Sequence, residues 1–193
     1  MDYILRILPN MFAGLGVSAQ IFLITIVLSL TIGILLALDR ISKVAVFRKL
    51  AELYIYVVRG TPLMLQILFI YYGLPFIIDG LKLPAFPAAI IAFVLNYAAY
   101  FAEIFRGGIQ SIDRGQYEGA KVLGMTYVQT MRRIILPQVI KRILPAMGNE
   151  IIALVKDTSL AFVLGIMEMF TEAKALAAKL VSVVPYVMAA LLY

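Results

Sequence analysis

Twenty-two consecutive residues, Val17 to Leu38, carry no charge. At about 1.5 Å per residue a helix of that length extends roughly 33 Å, enough to cross the hydrocarbon core of a bilayer. Hydrophobic residues make up 63% of the 193, against about 45–50% in soluble domains, and the mean hydropathy is +0.98. One soluble core cannot hide that much apolar surface, so lipid must cover part of it. The run is too long for the apolar segment of a cleaved leader. It is preceded by Asp2 and Arg6 rather than by a basic cluster. Met1 to Gly16 reads as a short interfacial helix, broken near Pro9.

Further apolar stretches follow. A second span lies within Leu50 to Ile78, interrupted by Arg59-Gly60-Thr61-Pro62, where proline and glycine weaken a helix. A third runs from about Pro84 to Phe105 and a fourth from about Ile143 to Met167. A fifth starts near Leu176 and reaches Tyr193; it is short and holds Lys179, so the natural chain is expected to continue and complete it. The fold class is therefore all-α and polytopic: one membrane domain over residues 1–193, with five transmembrane helices.

Charge separates sharply between the connections. Residues 39–49 and 106–142 together hold eleven of the seventeen basic residues, and the opposite-side segments hold four, Arg6, Lys82, Lys174 and Lys179. The positive-inside rule puts both basic loops in the cytoplasm and, with five spans, the N-terminus outside. A net charge of +6 is thus a matter of membrane topology, and no nucleic-acid partner is expected. The chain has no cysteine and no histidine. A disulfide framework, a thiolate metal site and an imidazole base are all missing, which argues against an enzyme.

The loop 106–142 is too long and too patterned for a plain connector. Val122, Met125, Val128 and Met131 recur every third residue, as on an amphipathic helix or helix pair with Gly124 at the break and Pro137 at the end. Either it packs on the chain's own cytoplasmic ends, or small residues such as Gly119 and Ala120 let it enter a groove on another protein.

The spacing of Glu118-Gly119-Ala120, Gly124 and Ile134-x-Leu136-Pro137 resembles the EAA signature of ABC importer permeases, with Gly119 where alanine is usual. Arg59-Gly60-Thr61-Pro62-Leu63, the stretch Ala102 to Gly108 with Gln110-Ser111, Gly148-Asn149-Glu150 and Lys156 to Leu160 are similar to motifs of one branch, the polar amino-acid uptake permeases of the histidine, glutamine and arginine type. The resemblance runs from about Gly14 to at least Leu160. It implies a type I importer permease fold in a bacterial-type inner membrane. It also implies two cytoplasmic ATPase subunits gripping the 106–142 loop through Glu118, Gly119, Ala120, Gly124 and Pro137. A second permease, identical or paralogous, and an extracytoplasmic substrate-binding protein complete the assembly. The chain holds no G-x-x-x-x-G-K-[ST] phosphate loop, so it has no cofactor of its own and ATP is expected on the ATPase partner.

Ionisable residues inside spans are expensive and default to function. Glu150 and Asp157 are seven apart, as are Asn96 and Glu103, so each pair shares a helix face. If the third and fourth spans face each other, these residues, with Asn149, line one cavity suited to an ammonium or guanidinium group. Ion pairing inside the protein is the competing reading: Glu103 reaches Arg106 at i+3, and Asp157 caps a break near Thr158-Ser159. Thr61 and Gln66 sit at the weakened second span, as carboxylate binders or as partners of a kink. The function expected is alternating-access uptake of polar, including basic, amino acids. The alternatives are a type I permease for another small solute, and an ion-coupled transporter or channel that needs no ATPase.

Overall fold

Helix α1 runs Asp2–Ile41 and passes through Pro9 unbroken; the interfacial break expected at that proline is not formed. This is a computed structural model and describes residues 2–193. Met1 and the side chains of residues 2–6, Asp2 and Arg6 among them, lie outside the described residues. Ile7 and Met11 flank Pro9 and are buried against Met169, Ala173, Leu176 and Ala189. That packing holds the helix together where the proline removes a backbone hydrogen bond.

Helix α2 spans Ala45–Arg59 and α3 spans Leu63–Leu68. One π turn, Phe69–Gly73, leads into α4, Leu74–Ile77. The expected weak point at 59–62 is a sharp corner: the two arms meet at 105°. Pro62 is extended at ψ 134°, and its ring blocks continuation of α2. The π turn has its own cause. Pro75 has no N–H to give, and its ring would strike the carbonyl four residues back, at Tyr71; the wider turn around Tyr71 relieves that clash.

Helix α5, Ala85–Gln110, is the centre of the molecule. Ala88, Ala89, Ala92, Phe93, Ala98, Ala99, Phe101 and Ala102 are all fully buried. It packs chiefly along α1. Alanines and Gly33 let the two backbones approach, as small residues do in lipid, where the hydrophobic effect supplies no force between helices. A Cβ on Gly33 would lie 2.9 Å from the Phe101 Cβ and 3.2 Å from the Ala98 carbonyl oxygen.

The 106–142 segment forms α6, Arg114–Val122, and α7, Tyr127–Thr130, with Gly124 between them at φ +72°. The break at Gly124 agrees with the sequence. Pro137 does not end the element. A second π turn, Met131–Ile135, joins α7 to α8, Leu136–Asp157, and Pro137 sits in the first turn of α8. The same proline logic applies, with Arg133 four residues back inside the π turn.

Helix α8 is 22 residues long, but Lys141, Arg142, Glu150, Lys156 and Asp157 leave it too charged to pass as a span on apolarity. It ends in a 3-10 stretch, Thr158–Leu164, closed by Gly165 at φ +69°. The expected fifth span is two helices, α9, Met169–Leu180, and α10, Val184–Leu192. Pro185 explains the break: its ring would strike the carbonyl of Val181, four residues back. By length and composition, α1 from Ile7 and α5 can each cross a membrane, and the bent 45–77 pair makes a third candidate. No strand occurs among the described residues.

Two stability outcomes follow from this packing. Gly33→Val forces α1 from α5 and costs about 1–3 kcal/mol by overpacking. Thermal unfolding of the purified protein should drop by roughly 2–4 °C per kcal/mol, while Gly16→Ala, inside α1 with nothing within 4 Å of a new Cβ, should hold or raise the melt. Val181 sits at φ 47° and is 93% exposed, a conformation that disfavours a β-branched residue by about 1–3 kcal/mol. Val181→Asn should therefore raise the melting temperature, and a fall would count against that strain.

Candidate functional site

The corner at 59–62 frees the last carbonyls of α2, and polar side chains take them up. Thr61 Oγ1 donates to the Val57 carbonyl at 3.0 Å. Gln66 Nε2 donates to the Val58 carbonyl at 2.8 Å and to Thr61 Oγ1 at 2.7 Å. Asn96 of α5 donates to Gln66 Oε1 at 3.1 Å and locks the corner to the central helix. Thr61, Gln66 and Asn96 are thus one network, with Gln66 on the kink-satisfying side of the two readings.

Beside this corner lies a cavity of about 370 Å³. Its polar wall is made by Thr61, Asn96, Tyr97, Tyr100, Glu150 and Asp157. Glu150 and Asp157 share one face of α8, as their spacing requires. Asp157 accepts a hydrogen bond from the Tyr97 hydroxyl at 2.7 Å, and its side chain makes no cap to the 3-10 stretch that follows. Among the described residues neither Glu150 nor Asp157 has a basic partner within 4 Å. The two present carboxylate oxygens to the cavity without a direct ion pair, together with the Asn96 amide and two phenols, while Arg59 acts on Glu150 from farther off.

Glu103 is not part of that wall. Arg106 holds it through Nη2 at 2.6 Å and Nε at 3.0 Å. Arg40 stands 3.6 Å away and Arg59 4.0 Å. Three guanidiniums from α1, α2 and α5 draw the carboxylate toward the basic 39–49 end, into a second cavity lined by Arg40, Glu52, Arg59, Tyr100 and Glu103. Asn149 is exposed on the outer side of α8 and lines neither cavity.

Three residues escaped the sequence reading. Tyr97 and Tyr100 each line the first cavity; Tyr100 lies about one turn after Asn96 on its side of α5, and Tyr97 is tied in by its bond to Asp157. Glu168 is fully buried. Its carboxylate caps α9, accepting from Phe170 N–H at 2.7 Å and Thr171 N–H at 2.8 Å. The Thr171 hydroxyl at 2.7 Å and the Tyr193 hydroxyl at 3.0 Å complete its shell. Glutamate is not one of the residues that mark a helix cap in sequence, so no local signal pointed to it.

The loop residues divide differently from expectation. Glu118 and Gly119 are exposed, with open space over Gly119, but Ala120 is buried against its own chain. Met125 N–H donates to the Ala120 carbonyl at 3.0 Å and Gly124 N–H to the Lys121 carbonyl at 3.0 Å. These two bonds with a left-handed glycine form a Schellman turn. Asp113 caps α6 through Gly115 N–H, and Thr126 and Gln129 make a capping box on α7. The Gly124 turn breaks the expected three-residue stripe. Instead Val122, Leu123, Tyr127 and Val128 stand out around it, each at least 70% exposed.

Comparison with known proteins gives this arrangement a setting. Residues 29–193 match the family model described as binding-protein-dependent transport system inner membrane component. The chain is 40% identical over 174 residues to the L-cystine transport system permease protein TcyL of Bacillus subtilis, covering 88% of this chain and 73% of that protein. It is 39% identical over 187 residues to the arginine transport system permease protein ArtQ of the same organism, covering 96% and 85%. Among solved structures it superposes with a TM-score of 0.89 and 36% identity on the crystal structure of an amino acid ABC transporter with histidines, covering 99% of this chain and 89% of that one. The all-helical chain therefore belongs to the inner-membrane permease components of binding-protein-dependent ABC transport systems, and it serves transport rather than catalysis.

Proposed function

We propose that this chain is one permease of an ATP-driven importer that carries polar amino acids, basic ones included, into the cytoplasm by alternating access. The observation that carries the substrate reading is the cavity between α3, α5 and α8, where Glu150 and Asp157 stand without a direct ion pair beside Asn96 and the two tyrosines. Two carboxylates without a direct ion pair in one cavity wall favour a cation over an anion there. An α-ammonium, a guanidinium or a side-chain ammonium fits that field. The relatives' names support amino acids as the class, and they differ in which one, cystine for one and arginine for another.

The energy source is a separate ATPase pair at the 106–142 loop. Support comes from four large apolar side chains held outward around a rigidly capped turn. Apolar side chains gathered in that way mark a protein contact. With that loop and residues 39–49 on the cytoplasmic side, the N-terminus faces outward, where a binding protein delivers substrate. A second permease, the same chain or a paralogue, closes the path. Closure of the ATPases pulls on the Gly124 turn, and α8, continuous with α7 through the π turn, carries the movement to Glu150 and Asp157. Glu118 and Gly119 belong to the docking face, and Pro137 marks the joint where it meets α8.

Two measurements test the halves of this reading separately. In vesicles holding the complete importer, Glu150→Gln combined with Asp157→Asn should lower L-arginine uptake at least about tenfold, the size of a lost charged hydrogen bond, and lower L-glutamine uptake less. Equal uptake of L-arginine by the variant and the wild type would sink the cavity assignment. For the loop, Leu123→Asp should cut co-purification of the ATPase and reduce transport-coupled ATP hydrolysis at least about tenfold. Full coupling in that variant would remove the docking face.

A further inference from the structure

The geometry assigns Arg59 as the group that receives the substrate's carboxylate. This rests on the amino-acid reading above and extends it from the cation to the anion of the same molecule.

The two cavities are neighbours, and Tyr100 is a wall of both. Their charges differ. The first offers Glu150 and Asp157 without a direct ion pair. The second, about 460 Å³, gathers the guanidiniums of Arg40 and Arg59 with the carboxylates of Glu52 and Glu103. Arg106 adds a third guanidinium to Glu103. Arg106 stands behind Glu103 rather than on the cavity wall, and Arg59 is the guanidinium of that wall that also acts through space on Glu150 of the first cavity. Arg40 Nε is in addition a buried donor without a hydrogen-bond acceptor. That nitrogen faces the Glu103 carboxylate at 3.6 Å, too long for a hydrogen bond.

Arg59 is the least engaged of the three. Arg106 holds Glu103 at 2.6 Å, and Arg40 holds Glu52 at 3.3 Å. Arg59 reaches Glu103 only at 4.0 Å, with its side chain 43% exposed. Its guanidinium rests over the Tyr100 ring, 5.0 Å from the centroid. A carboxylate arriving there displaces one long ion pair, while Arg106 and Arg40 keep Glu103 neutralised. The planar fork can then bind it with two parallel hydrogen bonds. An amino acid carries an ammonium and a carboxylate on one carbon. Arg59 lies close enough to Glu150 to act on it through space, and the two cavities meet at Tyr100, so one such molecule can meet base at its carboxylate and acid at its cationic end.

The test is direct binding to the wild-type permease–ATPase complex in nanodiscs, with radiolabelled L-arginine and with agmatine, the same molecule without its carboxylate. Wild type should bind L-arginine at least about tenfold more tightly, the worth of a charged hydrogen bond, although agmatine carries the larger net positive charge. Arg59→Met should bring L-arginine down to the level of agmatine and leave agmatine unchanged or tighter. Arg59→Lys should restore part of the difference. Equal loss of both ligands in Arg59→Met, or loss of neither, overturns the assignment. Wild-type binding of both ligands alike overturns the carboxylate contact and leaves the amino-acid reading standing. Binding of neither L-arginine nor L-glutamine by the wild type overturns both.

Discussion

A backbone carbonyl or amide left without a partner in hydrocarbon costs several kcal/mol, and that constraint organises this molecule. Two of the breaks in its helices show side chains placed to absorb the freed groups. At the 59–62 corner, Thr61 and Gln66 take the carbonyls of Val57 and Val58. At the start of α9, Glu168 takes two amides and Ser18 of α1 takes the amide of Met169 at 3.2 Å. The polar side chains needed for these repairs then bring in others: Asn96 is tied to Gln66, and Asn96 faces Glu150 and Asp157 across the cavity they share. The site is built outward from a repaired corner.

This construction explains what could be read from the sequence and what could not. Charge-free length made the Val17–Leu38 crossing legible, and the left-handed requirement made Gly124 legible as a turn. The pairing of Glu150 with Asp157 followed from seven-residue spacing alone. Prolines were harder. Pro9 is carried by packing from α9, more than 150 residues away in sequence, which no local pattern contains. Pro75 and Pro137 are absorbed by single π turns, and Pro185 is not absorbed and splits the last segment. The same residue thus has three outcomes, and the surroundings choose between them. Glu103 illustrates the same limit. Its helix face was read correctly, but two of the three arginines that draw it away stand on other helices.

The charge pattern along the path is a property of neighbouring helices rather than of any one motif. Helix α8 supplies carboxylates to the first cavity, while α1 and α2 supply guanidiniums to the second, and α5 contributes to both through residues a turn or so apart, Asn96, Tyr100 and Glu103. Sliding α5 along its neighbours would change both cavities together. The alanine-rich contact with α1 fixes that register, and so sets the electrical character of the interior without touching any solute.

Consider last the outward-facing side chains around the Gly124 turn. Val122, Leu123, Tyr127 and Val128 are presented by a Schellman turn and two capped helices, so they cannot fold away while the subunit stands alone. On the proposed docking of this turn by an ATPase, a newly inserted copy carries a preformed apolar plug until its partner arrives. On that reading, the exposed apolar turn that serves the assembled transporter is a liability for a copy that stays unpaired.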